Sequence, residues 1–292
     1  MLLFGLKNCG GWFKVCNFVS MVVSKGKQVF LLDYSNSHEV IMEAFGLGAD
    51  VGDFSNFQKV EIVPVIAGKY TRNKFDWVLR VDGREADWWG FGYEDLAWEK
   101  WVEVVAERLV IGGEFKVVNK GFYLVSGSAT VKASGSATVK ASGSAKVVAS
   151  GSAKVVALGS VIVEASGSAI VEARGSATVK ASDLATVEAR GSATVKASGS
   201  AKVVALGSVI VEASDLVIVE AWDSATVKAS GSATVKASGS VKVNATMNAI
   251  VIFPNLKKIE VASGFKVVKR KGKNVRIIEK VLLEVGVNAE TH

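Results

Sequence analysis

Between residues 127 and 246, apolar and polar side chains alternate in a fixed eight-residue unit, first met as Gly127-Ser128-Ala129-Thr130-Val131-Lys132-Ala133-Ser134. Fifteen copies follow one another without insertion. In each copy Ala129, Val131 and Ala133 share one face and Thr130, Lys132 and Ser134 the other, the period of two that marks a strand with one buried side. The Gly-Ser that opens the next copy breaks the strand and supplies the permissive backbone of a corner. Repetition at a short fixed period predicts units that pack on their neighbours rather than around a globular core. An Ala-Val-Ala face is thin and closes only against another small-residue face, so the pattern predicts two thin sheets or one tightly wound coil.

A second period sets the number of units per coil. The eighth position is Ser in most copies, but Leu158, Arg174, Arg190, Leu206 and Trp222 replace it at intervals of sixteen residues. One coil therefore holds two units and two kinds of corner. A three-sided coil of twenty-four residues would put Leu158 and Arg174 on different edges. An antiparallel meander also has two edges, but a two-residue hairpin would set Ser134 opposite Ala137 and mix both faces. In a solenoid the odd positions all stay inside. Stacking at sixteen residues also lines up outward charges: Glu164 with Lys180, Glu212 between Lys196 and Lys228, and Glu220 with Lys236. Glu172 beside Glu188 is unfavourable, and Arg174 and Arg190, two residues further on the same side, offset it. The inward phase is expected to extend through Phe115, Val117, Tyr123 and Val125, and past the array through Ala249, Val251 and Phe253 until Pro254 stops it.

Outside the array the patterns change. Strands are expected at residues 29–32, 58–65 and 75–81, a short helix at 40–45 capped by Ser35-Asn36-Ser37, and a helix at 93–109 with Trp98, Trp101, Val102, Val105 and Leu109 on its inner face. Five of the seven tryptophans lie between Trp77 and Trp101; they read as core, with the Trp88-Trp89 pair kept as a ligand or partner surface. Residues 265–268 and 275–278 read as a hairpin whose tip carries Lys269, Arg270, Lys271 and Lys273. The predicted architecture is mainly β: an α/β head (1–110), a transition (111–126), a two-sided β-solenoid with sixteen-residue coils (127–246), and a basic C-terminal β cap (247–292).

The chain has 292 residues and a formal net charge of +7, and residues 247–292 hold nine basic against four acidic side chains. Cys9 and Cys16 give neither a disulfide framework nor zinc spacing, which points to a reduced cytoplasmic or virion setting. Residues 2–23 are interrupted by Lys7, Asn8 and Lys14 and read as neither a spanning helix nor a signal peptide. Asp33, His38 and Glu39 stand close together, but the only other histidine is His292, so they read as a solvated helix start. Stacked Glu172 and Glu188 would approach the carboxylate spacing of retaining glycosidases, ~5 Å, yet on a flat array they read as surface ladder residues without a cleft. Threonine columns would suit ice binding, but Lys146 and Ile162 interrupt the column from Thr130 to Thr178. No catalytic, cofactor or metal residues emerge.

The array resembles the Gly-Ser-Ala-Thr-Val type of short-repeat β-solenoid of bacteria and bacteriophages. That resemblance covers residues 127–246 and implies a phage or mobile-element origin and an array that changes length by recombination. In the head, Gly10-Gly11, Lys14 and the run from Gly26 to Asp33 resemble the strand, loop, helix and strand that open ParA/MinD-type P-loop ATPases. No Ser or Thr follows Lys14, and Trp12-Phe13 occupies the place of the phosphate-cradling backbone. The expected function is a non-enzymatic rod that displays its outward ladders to a protein partner, as a virion or host-interaction component. Contact is expected at Leu158, Arg174, Arg190, Leu206 and Trp222 or at Trp88 and Trp89, with self-association through the rod's ends or edges and no membrane contact. The alternative is a nucleotide- or nucleic-acid-binding regulator acting through the head or through Lys269, Arg270, Lys271 and Lys273, whose charges would seek phosphates.

Overall fold

The computed structural model describes residues 19–32, 37–47, 56–66, 70–246, 248–253, 266–271 and 274–279, with no side chain described beyond residue 252. Cys9, Gly10, Gly11, Lys14, Cys16, Asp33 and Lys273 fall outside these residues.

Among the described residues, the head is a four-stranded antiparallel sheet with two α-helices and a 3-10 turn at Lys74–Asp76. Strands β1 (Val19–Ser24) and β2 (Val29–Phe30) form a hairpin, helix α1 spans His38–Ala44, and β3 (Phe57–Pro64) and β4 (Trp77–Val81) complete the order β2-β1-β3-β4. The hydropathy pattern did not announce β1, because all six of its residues are buried and a strand covered on both faces loses its alternation. Strand β1 runs antiparallel to β2, pairing Val22 with Phe30 and Val23 with Val29.

Helix α2 (Phe91–Arg108) covers one face of the sheet, packing Ala97, Trp101 and Val105 against Met21, Val23, Val60 and Ile62. Its inner stripe is rotated from the expected one: Val104 is buried, whereas Val102 is 57% exposed. The helix runs directly into β5 (Leu109–Val110), which pairs in parallel with Leu124 and Val125 at the start of the solenoid.

The solenoid is built from two sheets, of nine and twelve strands among the described residues, parallel throughout the array with successive units alternating between them; the twelve include β5 and an antiparallel C-terminal strand. Every array strand pairs with the one sixteen residues away, Val131 with Val147 and Val139 with Val155. Inward Ala and Val side chains from Ala129 to Val251 are at most 4% exposed, so the interior is sealed. Nine strands at ~4.8 Å give a rod about 40 Å long.

The two corners differ as the sixteen-residue period requires. On the nine-stranded sheet the strands end before Ser, and a tight turn closes through bonds such as Ala153 N–H to Ser150 O, 3.2 Å. On the other sheet the strands lengthen to six residues where Leu158, Arg174, Arg190 and Leu206 occupy the eighth position. Trp222 departs from this, since its strand stops at Ala221 and Ala225 N–H closes a turn onto Trp222 O.

Gly at the corner has positive φ and stacks backbone on backbone: a Cβ on Gly135 (φ +54°) would lie 2.4 Å from Asn119 O. Asp183, Asp215 and Asp223 hold the same left-handed conformation at φ +57° to +59°. Each offsets that strain by accepting a 3.0 Å hydrogen bond from the N–H of Gly167, Gly199 or Gly207 one coil earlier.

The N-terminal coil corrects one expectation. Strand β6 (Phe115–Val118) pairs Phe115 with Thr130, fifteen residues away rather than sixteen, so Phe115 and Val117 point outward, 59% and 64% exposed. A corner one residue short moves the whole strand to its other face. Strand β7 (Phe122–Val125) keeps the phase, with Tyr123 against the solenoid core, Val125 within it, and Phe122 and Leu124 in the head core. The head thereby covers the first coils, and Arg72 strengthens the join through Glu114 (2.7 Å) and Leu109 O (3.2 Å).

At the far end Ile250–Phe253 continues the twelve-stranded sheet, followed by a hairpin of Lys266–Lys271 and Asn274–Glu279. Its strands are longer than expected. Lys269, Arg270 and Lys271 therefore lie within a strand, paired with Arg276, Val275 and Asn274, and not at a tip.

Candidate functional site

The five residues that break the Ser pattern come together. Leu158 pairs with Arg174 and Arg190 with Leu206, and Trp222 N–H bonds to Ala205 O beside Leu206, so the five form one column along an edge of the rod. The leucines and arginines are half-buried and Trp222 is 43% exposed. In this column the arginines turn inward along the strand: Arg174 Nε donates to Glu172 Oε1 at 2.6 Å and Arg190 Nε to Glu188 Oε1 at 2.8 Å.

Glu172 and Glu188 are not the open surface ladder residues expected from sequence. They are 2% and 6% exposed, each held by its own arginine. Two stacked carboxylates are tolerated because each meets a guanidinium within its own strand, a pairing between adjacent same-face positions that alternation makes available.

The opposite edge is a shallow groove of about 930 Å³ on the nine-stranded sheet, running from Val148 to Asn244. Its wall repeats Ser166, Ser182, Ser198, Ser214 and Ser230, one per coil, because the eighth position on this sheet stays small. Glu164, Lys180, Lys196, Glu212 and Lys228 line its other side. Glu212 sits between Lys196 (3.1 Å) and Lys228 (3.9 Å), and the hydrogen bond from Lys196 holds its carboxyl below the usual carboxylate range. Glu220 pairs with Lys236 at 2.8 Å on the other sheet. Glu164 differs from expectation, since Lys146 reaches it diagonally at 3.0 Å and Lys180 acts on it only at longer range.

In the head, Trp89 is 8% exposed and packs in the core with Trp77 and Trp101, while Trp88 is half-buried and meets Tyr93 edge-on, ring centroids 4.8 Å apart. Trp89 is thus part of the head core, and Trp88 is the more accessible ring of the pair. Among the described residues, four buried polar atoms have no hydrogen-bond partner: Ser20 Oγ, Tyr70 Oη, Trp89 Nε1 and Trp101 Nε1. Burial pushes the Tyr70 phenol well up.

His38 corrects the sequence reading most. It is 6% exposed, and among the described residues the carboxylates that meet its ring are Asp82 and Glu61. His38 Nδ1 lies 3.0 Å from Asp82 Oδ2 and 4.0 Å from Glu61 Oε1, and Nε2 lies 3.1 Å from Val60 O. Desolvation, then repulsion from Asp82, pushes the Glu61 carboxyl up to about 7 against the opposing pull of Arg80. The sequence held one signal for this cluster: Glu61 occupies an alternating position between Val60 and Ile62.

Compared with protein-family models, curated proteins and solved structures, the chain gives no match. Fold and surface define a two-sided β-solenoid joined to a small α/β head. Among the described residues no helix is long and apolar enough to cross a membrane.

Proposed function

We propose that the protein is a non-enzymatic interaction rod whose outward columns are read by a protein partner. One observation carries this reading: the interior is filled with Ala and Val, and the chemical variety is sorted into outward columns repeating at one-coil intervals. A surface of fixed spacing suits a flat or elongated partner. The column from Leu158 to Trp222 is the contact edge, since it combines the apolar, aromatic and guanidinium groups that concentrate in interface centres. The finer version, a virion or host-interaction component of phage or mobile-element origin, rests on the resemblance of the repeat.

The test is capture from host lysate with the full-length chain, against a variant in which Leu206→Ser and Trp222→Ser restore the common corner residue. The reading expects a saturable protein partner that the variant loses while its far-UV circular dichroism stays unchanged. Capture that survives both substitutions would remove the column as the contact edge. Capture abolished by nuclease would transfer the function to nucleic acid and to the basic strand around Lys269 and Arg270.

A further inference from the structure

We propose that His38, Glu61 and Asp82 form a binding site for a divalent first-row transition ion, of which Zn2+ is the representative. The three residues come from the first turn of α1, the middle of β3 and the residue after β4. Chain segments up to 44 residues apart thus deliver one imidazole nitrogen and two carboxylate oxygens, all within 4.8 Å of one another. An ion held at ~2.0–2.2 Å by such ligands sets them roughly 3–3.5 Å apart. Asp82 and His38 already meet at 3.0 Å, and Glu61 needs to close only part of its 4.0 Å.

The orientation of His38 supports this use. Val60 O can only accept, so Nε2 carries a hydrogen and donates it there, which leaves Nδ1 directed at the two carboxylates. A ring nitrogen tied to a backbone carbonyl while the other faces the ion is the usual outer-shell arrangement of a metal-bound histidine. A second observation is independent of the cluster. Ser20 is 1% exposed, its hydroxyl has no partner, and it stands directly opposite Glu61 across the β1–β3 ladder. Directly opposed residues share a face, so this hydroxyl is placed to support a Glu61 oxygen once the carboxylate is drawn to an ion.

The site is open on one side, with Asp82 53% exposed against 6% for His38, which leaves room for water ligands. One imidazole with two carboxylates and no thiolate selects ions of the zinc, cobalt and manganese group over Cu(I), and the nitrogen disfavours Mg2+ and Ca2+. Arg80, opposite Glu61 on the other flank, is the one strand-paired cation set against it.

The test uses the full-length protein stripped of metal and titrated with Zn2+ by calorimetry, with Co2+ absorption as a second readout. One equivalent is expected to bind, to raise the melting temperature followed by tryptophan fluorescence, and to give weak cobalt bands without thiolate charge transfer. Asp82→Asn, at an exposed position, and Glu61→Gln should each weaken Zn2+ at least about tenfold. A Cys9→Ser, Cys16→Ser, His292→Ala variant should bind as the parent does. The proposal is overturned by no Zn2+ binding in the parent, by binding that survives both carboxylate substitutions, by loss in the cysteine and His292 variant, or by equal affinity for Mg2+.

Discussion

The array and the head solve the same problem, burying apolar surface, by opposite means. In the array one small strand is copied, each copy meets an identical neighbour sixteen residues away, and Val over Val and Ala over Ala seal the interior. In the head no contact repeats. Its core joins Met21, Ile62, Trp77, Trp89 and Trp101 from distant segments and leaves Ser20, Tyr70, Trp89 and Trp101 with unpaired polar atoms. Repetition leaves the interior of the array no room for chemistry and pushes variety outward. Irregular packing lets the head gather His38, Glu61 and Asp82 at one point. Unpaired polar atoms and a carboxylate driven up to about 7 gather in that half of the molecule, where local departures from optimal packing mark functional candidates.

The largest break in this comparison comes from a charge inside the array. Val187 is fully buried between identical neighbours, and Val187→Asp places an unpaired carboxylate where nothing can hydrogen-bond it. That penalty amounts to several kcal/mol, so far-UV circular dichroism should show loss of the array's β signal while the tryptophan emission of the head changes less. Next is the corner backbone. Gly135→Ala must fit a Cβ 2.4 Å from Asn119 O, whereas at Gly159 the nearest atom is Gly143 O at 3.8 Å. Both substitutions carry the left-handed penalty of about 1–2 kcal/mol; only Gly135→Ala adds a clash, and its melting temperature should fall further.

A smaller effect separates two members of one column. Arg174→Ser and Trp222→Ser both restore the common corner residue. The first strands Glu172, 2% exposed, without its guanidinium; the second removes a ring that is 43% exposed. Chemical denaturation should show a loss of about 2 kcal/mol for Arg174→Ser, the scale of a charged group left unpaired, and little change for Trp222→Ser.

The smallest effect lies in the head and depends on pH. The Glu61 carboxyl is raised to about 7 from an ordinary 4.5, so the folded head holds a proton that the unfolded chain releases. Its contribution to stability is fully present below about pH 4.5 and is lost as pH rises through 7. In metal-free protein, the decline in melting temperature of Glu61→Gln across that interval, followed by tryptophan fluorescence, should be shallower than in the parent.

The sequence made the coil legible because its evidence is local and redundant: the Leu158-to-Trp222 spacing alone requires two corners per sixteen residues, and Ala129, Val131 and Ala133 identify the inner face. Lone exceptions were harder to read. A corner one residue short turned Phe115 and Val117 outward, and nothing in their own alternation shows a deletion in a neighbouring corner. The aspartates at 183, 215 and 223 carried a signal in the replacement of Gly at a left-handed position, but their hydrogen-bond partners lie one coil away. His38 was least legible, because Val60 and Asp82 are 22 and 44 residues distant and only the β3–β4 pairing brings them to it. Glu172 and Glu188 looked like open ladder residues because alternation assigns a face but not what lies over it.

In the two-sided coil, residues sixteen apart are nearest neighbours on adjacent parallel strands. Ser160 and Ser176 place their hydroxyl oxygens 3.2 Å apart. In a background with Cys9 and Cys16 replaced by Ser, Ser160→Cys with Ser176→Cys should oxidise to an intramolecular disulfide under mild conditions, read by mass spectrometry. Ser160→Cys with Leu184→Cys, twenty-four residues apart, should remain two thiols. A meander would hold the first pair two strands apart, about 10 Å, beyond the ~7 Å that a disulfide can bridge. Free thiols at 160 and 176, or a disulfide between 160 and 184, would contradict the two-sided coil.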